Sequence, residues 1–472
     1  MKKNIYTARE IDTESQSCLG KERKQRRAPL SVVISLLLIY SIVCTLFVFA
    51  SCEMSKGGLG QQVQQPPQIV ISDELDLPDY VRDLLTMDEI FKYYSYDGVD
   101  EEEMKTNLLK AYIAATGDVY AEYMTAEEYE AYMSESTGEF VGIGVSIVET
   151  TISIGGYTYK VMEVISVFKD SPALESGVRV GDCIVYVGGG EERTLVDTIG
   201  YTKALDIMLG EAGTVAEFTV FRPDGKTGDY TEINFAIERR KVETESVYYR
   251  VSESDDKVGI VNITGFDLTT PTQFTDAVDT LLEQGCEHFV FDMRNNPGGS
   301  LDSIETVLAY FLNEGDLIVS TEYSDGSTQY DYVKVKKYTD KYSGFDVTRS
   351  DIGKYKDLDC IVLVNENTAS AAELFTATLR DYGIAKVVGI TTYGKGCMQT
   401  ILPLDYYGLE GGLRVTVAMY FSKSHHVYHE IGIIPDEGLE VQLSEEALEY
   451  NFFLLPEAKD DQLKTAIAEL LK

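Results

Sequence analysis

A serine, a lysine and a glutamine stand at fixed offsets in the second half of this sequence: Ser370, Lys395 after 25 residues, and Gln399 four further on. A serine hydroxyl is a weak nucleophile at neutral pH and needs a neighbouring base, which a lysine supplies only when its amine is uncharged. Burial or a nearby cation produces that state. Lys395 lies between Gly394 and Gly396, with apolar Val387–Ile390 before it and Met398, Ile401 and Leu402 after it. A partly dry pocket that lowers its pKa toward the working range is therefore expected. Gln399 could accept a hydrogen bond from the amine and aim it. Four residues of flat strand would separate the two by roughly 13 Å, so the chain must bend between them, as the flanking glycines permit.

Two other readings compete. Ser370 and Glu373 form an SxxE capping box ahead of an apolar pattern at Leu374, Phe375, Leu379 and Tyr382, so the serine could simply start a helix that Gly383 ends. Gly389–Lys395 reads GxxxxGK, the opening of a phosphate-binding loop, but Gly396 stands where the magnesium-binding Ser or Thr belongs. The next segment, Met398–Leu402, reads as extended chain rather than the helix such a loop should open.

A second motif favours catalysis. Phe291–Leu301 reads FDMRNNPGGSL, an apolar strand ending in glycines that let backbone amides approach a substrate carbonyl. It is similar to the aspartate-leucine-arginine-x-asparagine-proline-glycine-glycine signature of the C-terminal-processing (tail-specific) peptidases, with Met293 in the leucine position. Ser370, Lys395 and Gln399 resemble the same family at their three positions. The resemblance implies a nucleophile, a base and its orienter in that order. It also implies an oxyanion hole from the amides of Gly298, Gly299 and Ala371, a term that is often the largest in catalysis. No cofactor is implied.

Upstream, FVGIGVSIV from Phe140 and VMEVISVFKDSPALESGVRVGDCIVYVGG from Val161 resemble a bacterial PDZ domain. Gly142, Ile143, Gly144 and Val145 would form its carboxylate-binding loop, with the adjoining strand adding a peptide to the sheet. Val145 and Ile147, with the helix near Leu205–Leu209, would make an apolar pocket for the last side chain. Protein substrates with apolar C-terminal tails are the expected partners.

The chain of 472 residues is 44% hydrophobic with net charge −37, long enough for roughly three domains. Residues 1–29 carry 8 basic and 4 acidic groups, the remainder 33 against 74; so acidic a body should repel nucleic acid and anionic lipid. Leu30–Ala50 is 21 uncharged, mostly apolar residues behind KERKQRR, enough to span a bilayer as a signal anchor with the basic end inside. A lipoprotein signal at Cys52 is the alternative, as Phe49-Ala50-Ser51-Cys52 loosely resembles a lipobox. Of the other cysteines, Cys286 and Cys360 each open an expected strand and could pair, while Cys397 beside Lys395 is a rival nucleophile. His288 sits in an expected strand, while His425, His426 and His429 cluster without an acidic or cysteine partner at metal spacing and read as surface groups. The closing segment Gly432, Ile433, Pro435 and Asp436 also resembles the peptidase family, but Ser422-Lys423-Ser424 replaces its threonine-proline-x-glycine turn.

The expected organisation is a cytoplasmic tail (1–29), transmembrane helix (30–50), Gly/Gln-rich stalk (51–73), helical region (74–138), PDZ domain (139–240), peptidase core (241–442) and C-terminal helical segment (443–472). The fold class is multidomain, α/β and α+β, with strands at 257–263, 288–293, 359–365 and 386–390 alternating with helices at 272–284, 300–312 and 370–382. Residues 315–354 are expected to form an accessory hairpin region. The sequence reads as a membrane-anchored extracytoplasmic serine endopeptidase, with a homodimer implied by the family's N-terminal helices. The alternative is a non-catalytic PDZ scaffold on a degenerate core.

Overall fold

The computed structural model describes residues 4–6, 77–96, 98–136, 139–224, 229–338 and 340–472. The expected anchor at 30–50, the stalk and Cys52 lie outside the described residues, among which no helix is long and apolar enough to cross a membrane. The described residues fall into two compact units, 77–108 and the remainder. In the first, the helix Asp79–Tyr94 buries none of its side chains, and Leu84, Leu85, Ile90 and Phe91 on it are exposed.

The larger unit is built on a five-stranded sheet. Val247–Val251 runs antiparallel to Val258–Ile263, and His288–Asp292, Asp359–Val364 and Ala385–Gly389 then follow in parallel register. The parallel strands are almost continuously apolar because both their faces are covered. The helices Thr270–Glu283, Leu301–Ala309 and Ala371–Asp381 cover one face through Phe274, Leu281, Ile304, Leu308, Leu374 and Phe375. Leu463, Ala466 and Ile467 of the C-terminal helix Asp461–Leu470 cover the other, against Val258, Val290, Ile361 and Val388. The last segment is therefore part of the core packing.

Beside this sheet stands a second, in which Leu317–Tyr323 forms the expected hairpin with Thr328–Tyr332 and also pairs with Gly412–Phe421, itself paired with Cys397–Pro403. The helical reading of 74–138 needs correction at one point. Glu122–Met124 is a strand, paired with Gly412–Arg414 between the helices Glu101–Ala115 and Ala126–Ser136. Three residues are too few to show a period of two against helical neighbours.

Residues 139–243 make a separate sheet and core around Met162, Val164, Ile184, Phe218 and Val220. Its strands run in the order 230–238, 215–223, 183–187, 157–167, 145–154, with Asn4–Tyr6 along the outer edge at Tyr230–Glu232. Cys286 and Cys360 are buried free thiols that point at the carbonyls of Asp256 and Ile384, so the possible disulfide does not form.

Candidate active site

In an open α/β sheet, the loops beyond the C-terminal ends of parallel strands are where ligands bind, and both motifs lie there. The strand Asp359–Val364 leads into Asn365–Ser370, and His288–Asp292 leads into Met293–Gly299. Side chains knit the loops together. Thr368 donates to Met293 O at 2.9 Å, Ala369 N–H to Asn296 O at 2.9 Å, and Asn295 N–H to Asn365 Oδ1 at 2.9 Å. Asn296 is anchored in turn by its Nδ2, which donates to Ile263 O at 2.8 Å. This frame holds Ser370 at φ 56°, ψ −121°, a conformation that costs a non-glycine residue about 1–3 kcal/mol and persists only where the surroundings enforce it. A residue that merely capped a helix would have no reason to bear that strain.

Glu373 carries more than the capping reading gave it. Its carboxylate is fully buried and accepts four hydrogen bonds: Ser370 N–H at 2.9 Å and Lys395 N–H at 2.7 Å on Oε2, Gly394 N–H at 2.7 Å and the Thr392 hydroxyl at 2.5 Å on Oε1. Thr392 Oγ1 also accepts Ile433 N–H at 2.7 Å, and its own proton is left to donate to the carboxylate. Burial pushes the Glu373 carboxyl up, while the bonds from Thr392, Lys395, Gly394 and Ser370 pull it back. One buried anion thus ties the serine turn to the lysine loop. The sequence signal was present as Glu at Ser+3, but nothing local said that its other oxygen reaches residues 392–395.

The glycines are demanded by contact. A Cβ on Gly298 would lie 2.6 Å from Ser370 Cβ and 2.9 Å from Ala369 O, and one on Gly299 would lie 2.1 Å from Phe266 O. The expected oxyanion hole changes in one member. Gly298 N–H donates to Asn296 Oδ1 at 2.8 Å and is spent inside the loop. The amides of Gly299 and Ala371 have no acceptor among the described residues, which leaves them for a substrate oxygen.

Lys395 is half-buried, and burial lowers its pKa, with the nearby Arg414 guanidinium lowering it further and Cys397 and Glu373 opposing. Its Nζ lies 5.0 Å from the centre of the Tyr120 ring, and no hydrogen bond joins it to Ser370. Gln399 does not aim it in this arrangement: Nε2 donates instead to Cys397 Sγ at 3.2 Å and Thr416 Oγ1 at 3.3 Å. The expected bend is real, as Gly394 has φ 88° and a bulge separates Met398 from Gln399. Cys397 is buried and its thiol is pushed up by burial, a poor setting for a thiolate nucleophile. His429, expected at the surface, is half-buried and accepts Gly396 N–H on Nδ1 at 3.2 Å. The unusual Ser422-Lys423-Ser424 turn is fastened to the end of the serine helix: Ser422 Oγ and Ser424 N–H both donate to Asp381 Oδ2, at 2.6 and 2.8 Å.

Ser370, Lys395, Gln399, Gly298, Gly299 and Ala371 all line one cavity of about 690 Å³, with Leu374, Met398 and Ile401 adding apolar wall. The other expected site lies in the second module. Gly142 ends a strand paired with Arg240–Glu243; Ile143 is buried, and Gly144 has φ 80° with a Cβ position 2.3 Å from Ser171 Cβ. From Val145 the chain continues as a strand that pairs on one side only, with Tyr157–Val167, among the described strands.

Behind the loops a charged cluster closes the core. Arg294 is buried, with its guanidinium on Asp292 at 2.7 Å and on Asp460 at 2.8 Å. The C-terminal segment is bound through this pair to the glycine-rich motif, a link that 166 residues of separation hid from the sequence.

With these loops and strands in hand, the comparison with known proteins is direct. Residues 257–439 match the model of Peptidase family S41. That region is similar to this peptidase family, and curated relatives of the chain include a carboxy-terminal processing protease and probable CtpA-like serine proteases. The chain is 27% identical over 347 residues to the carboxy-terminal processing protease CtpA of Bacillus subtilis (strain 168), spanning 73% of this chain and 66%, just under two thirds, of that one. It is 28% identical to a probable CtpA-like serine protease of Staphylococcus epidermidis, over 93% of this chain and 78% of the relative. A solved structure assigned to S41 from Bacteroides fragilis superposes with TM-score 0.50 at 18% identity, covering 82% of this chain and 96% of that one, and shows a shared fold.

Proposed function

We propose that this chain is a serine endopeptidase in which Ser370 attacks and Lys395 is the base, acting on proteins recognised by their C-terminal tails. The observation that carries the reading is the strained Ser370, held by Glu373 in one frame with the lysine loop and facing the same cavity. Attack of Ser370 Oγ on the scissile carbonyl forms the C–O bond as its proton passes to Lys395 Nζ. The oxyanion takes the Gly299 and Ala371 amides. Collapse expels the amine with the lysine's proton, and water, giving its proton to the same lysine, hydrolyses the acyl-enzyme. To begin, Lys395 must leave the Tyr120 ring for the serine, and Gln399 must turn from Cys397 if it is to orient the amine. No cofactor enters.

Tail recognition is proposed for the module 139–240 as a PDZ domain. Its support is the Gly142–Val145 loop leading into a strand with a free edge, to which an extended peptide can add. Leu30–Ala50 is proposed to anchor the chain, by a helix with the body extracytoplasmic. In that state Asn4–Tyr6 would be across the bilayer from Tyr230–Glu232, so their pairing would be absent. The exposed apolar residues of Asp79–Tyr94 agree with a homodimer. The test is cleavage of one unfolded protein bearing the same apolar tail as free carboxylate or as amide: KM should rise on amidation while kcat holds. Equal KM for the two, with cleavage dependent on Ser370, removes tail reading and leaves the peptidase.

A further inference from the structure

The segment between the helix Glu101–Ala115 and the strand Glu122–Met124 is strapped across the lysine side of the cavity. Asp118 accepts Thr416 N–H at 2.9 Å and the Thr416 hydroxyl at 3.0 Å, and Arg414 Nε donates to Tyr120 O at 3.1 Å. The strand pairing of Glu122–Met124 with Gly412–Arg414 fixes the far end. So held, Tyr120 presents its ring 5.0 Å from Lys395 Nζ and lies 6.3 Å from the His429 ring, whose Nδ1 holds Gly396. Tyr120, Tyr393 and Lys395 share the wall of a cavity of about 480 Å³. Apart from the departure of Lys395 from the Tyr120 ring, none of these strap residues enters the proposed chemical steps.

Resting on the Ser370–Lys395 reading, we infer that Tyr120 is a positioning residue for Lys395: its ring holds the amine as the cation, away from Ser370, until the lysine turns to take the serine's proton. The face of an aromatic ring attracts an ammonium and is indifferent to the neutral amine. The ring therefore favours the form that cannot act as base. Other groups face the same amine, with Cys397 and Glu373 also favouring the cation and Arg414 opposing it, while Tyr393 and His429 flank the ring and Asp118 lies on the strap. Because the strap continues directly from an N-terminal helix, a shift of that helix would reach the catalytic base without touching substrate.

The test is the pH profile of kcat/KM for the full chain on an unfolded, apolar-tailed protein, comparing the parent with Tyr120→Leu and Tyr120→Phe. Leu fills the space without the ring face, so the low-pH limb should move down by about 0.4–1.5 units, the span of cation–π strengths at 1.36 kcal/mol per unit. Below the limb the variant then outpaces the parent by roughly 3- to 30-fold. Phe keeps the face and should keep the limb. A Leu limb that stays or rises, or a Phe limb that moves with it, overturns the inference. If Leu fails to fold, Tyr120→Met poses the same question. Parental cleavage that survives Lys395→Met would remove the base itself, and is read in the same assay separately from the position of the limb.

Discussion

Replacing Glu373 by glutamine isolates the clamp between nucleophile and base. All four groups that meet the carboxylate are donors: two N–H groups on Oε2, and an N–H and the Thr392 hydroxyl on Oε1. A glutamine has one accepting oxygen, and its NH2 must face one of those pairs. Turned toward Thr392, the NH2 can donate to the hydroxyl oxygen, so the Gly394 N–H is the buried donor left without its acceptor, at about 1.5–3 kcal/mol. Together with the weakening of the bonds that remain once the charge is gone, the loss is about 3 kcal/mol. Relief is open only to the loops, since the helix Ala371–Asp381 is packed in the core. If that loss falls on the alignment of Ser370 with Lys395, kcat drops by roughly a hundredfold. The assay is kcat and KM on a tagged unfolded protein beside a thermal melt. A fall in kcat with KM nearly unchanged and the melt only modestly lowered is expected. Parental kcat in a folded Glu373→Gln protein would refute the clamp.

Other consequences are as specific. Asp460→Ala leaves Arg294 paired with Asp292 and Gln462 Oε1 but removes its hydrogen bonds to Asp460 and the cap on Leu463 N–H, and should cost about 2–4 kcal/mol of stability, read by denaturant unfolding, although residue 460 lies far from Ser370 in sequence. Gly298→Ala should abolish cleavage in a folded protein, because the added Cβ meets Ser370 Cβ at 2.6 Å and φ is 104°; activity at the parental level would argue against this packing. On the proposed reading Lys395 acts only when neutral, so kcat/KM should rise with pH through its pKa. Burial lowers that pKa, so the limb should lie below the range near 10.4 of a free lysine, and Lys395→Ala should erase it. Cys397→Ser should still cleave, since burial keeps the thiol protonated; loss of activity there would revive the cysteine as nucleophile.

How much could be read in advance depended on how local each signal was. The strands 258–263, 288–292, 359–364 and 385–389 came within a residue or two because buried parallel strands are short apolar runs bounded by turn residues. Ser370, Lys395 and the glycines were legible as types at fixed spacing. The features that stayed hidden depend on pairing across the chain: the second oxygen of Glu373, the Asp118–Tyr120 strap and the Arg294–Asp460 pair. The oxyanion amides show the same limit. Sequence marks Gly298 and Gly299 alike, and only the fold reveals that Asn296 consumes the first. Gln399 was placed by spacing, which could not foresee Cys397 and Thr416 competing for its amide.

The central claim is that Ser370 and Lys395 together cut peptide bonds. The direct measurement is hydrolysis of an unfolded protein with an apolar C-terminal tag by the parent, Ser370→Ala and Lys395→Ala, each confirmed folded by its melt. Cleavage by the parent alone is expected, with both variants at background. Cleavage by either variant at the parental rate would contradict it.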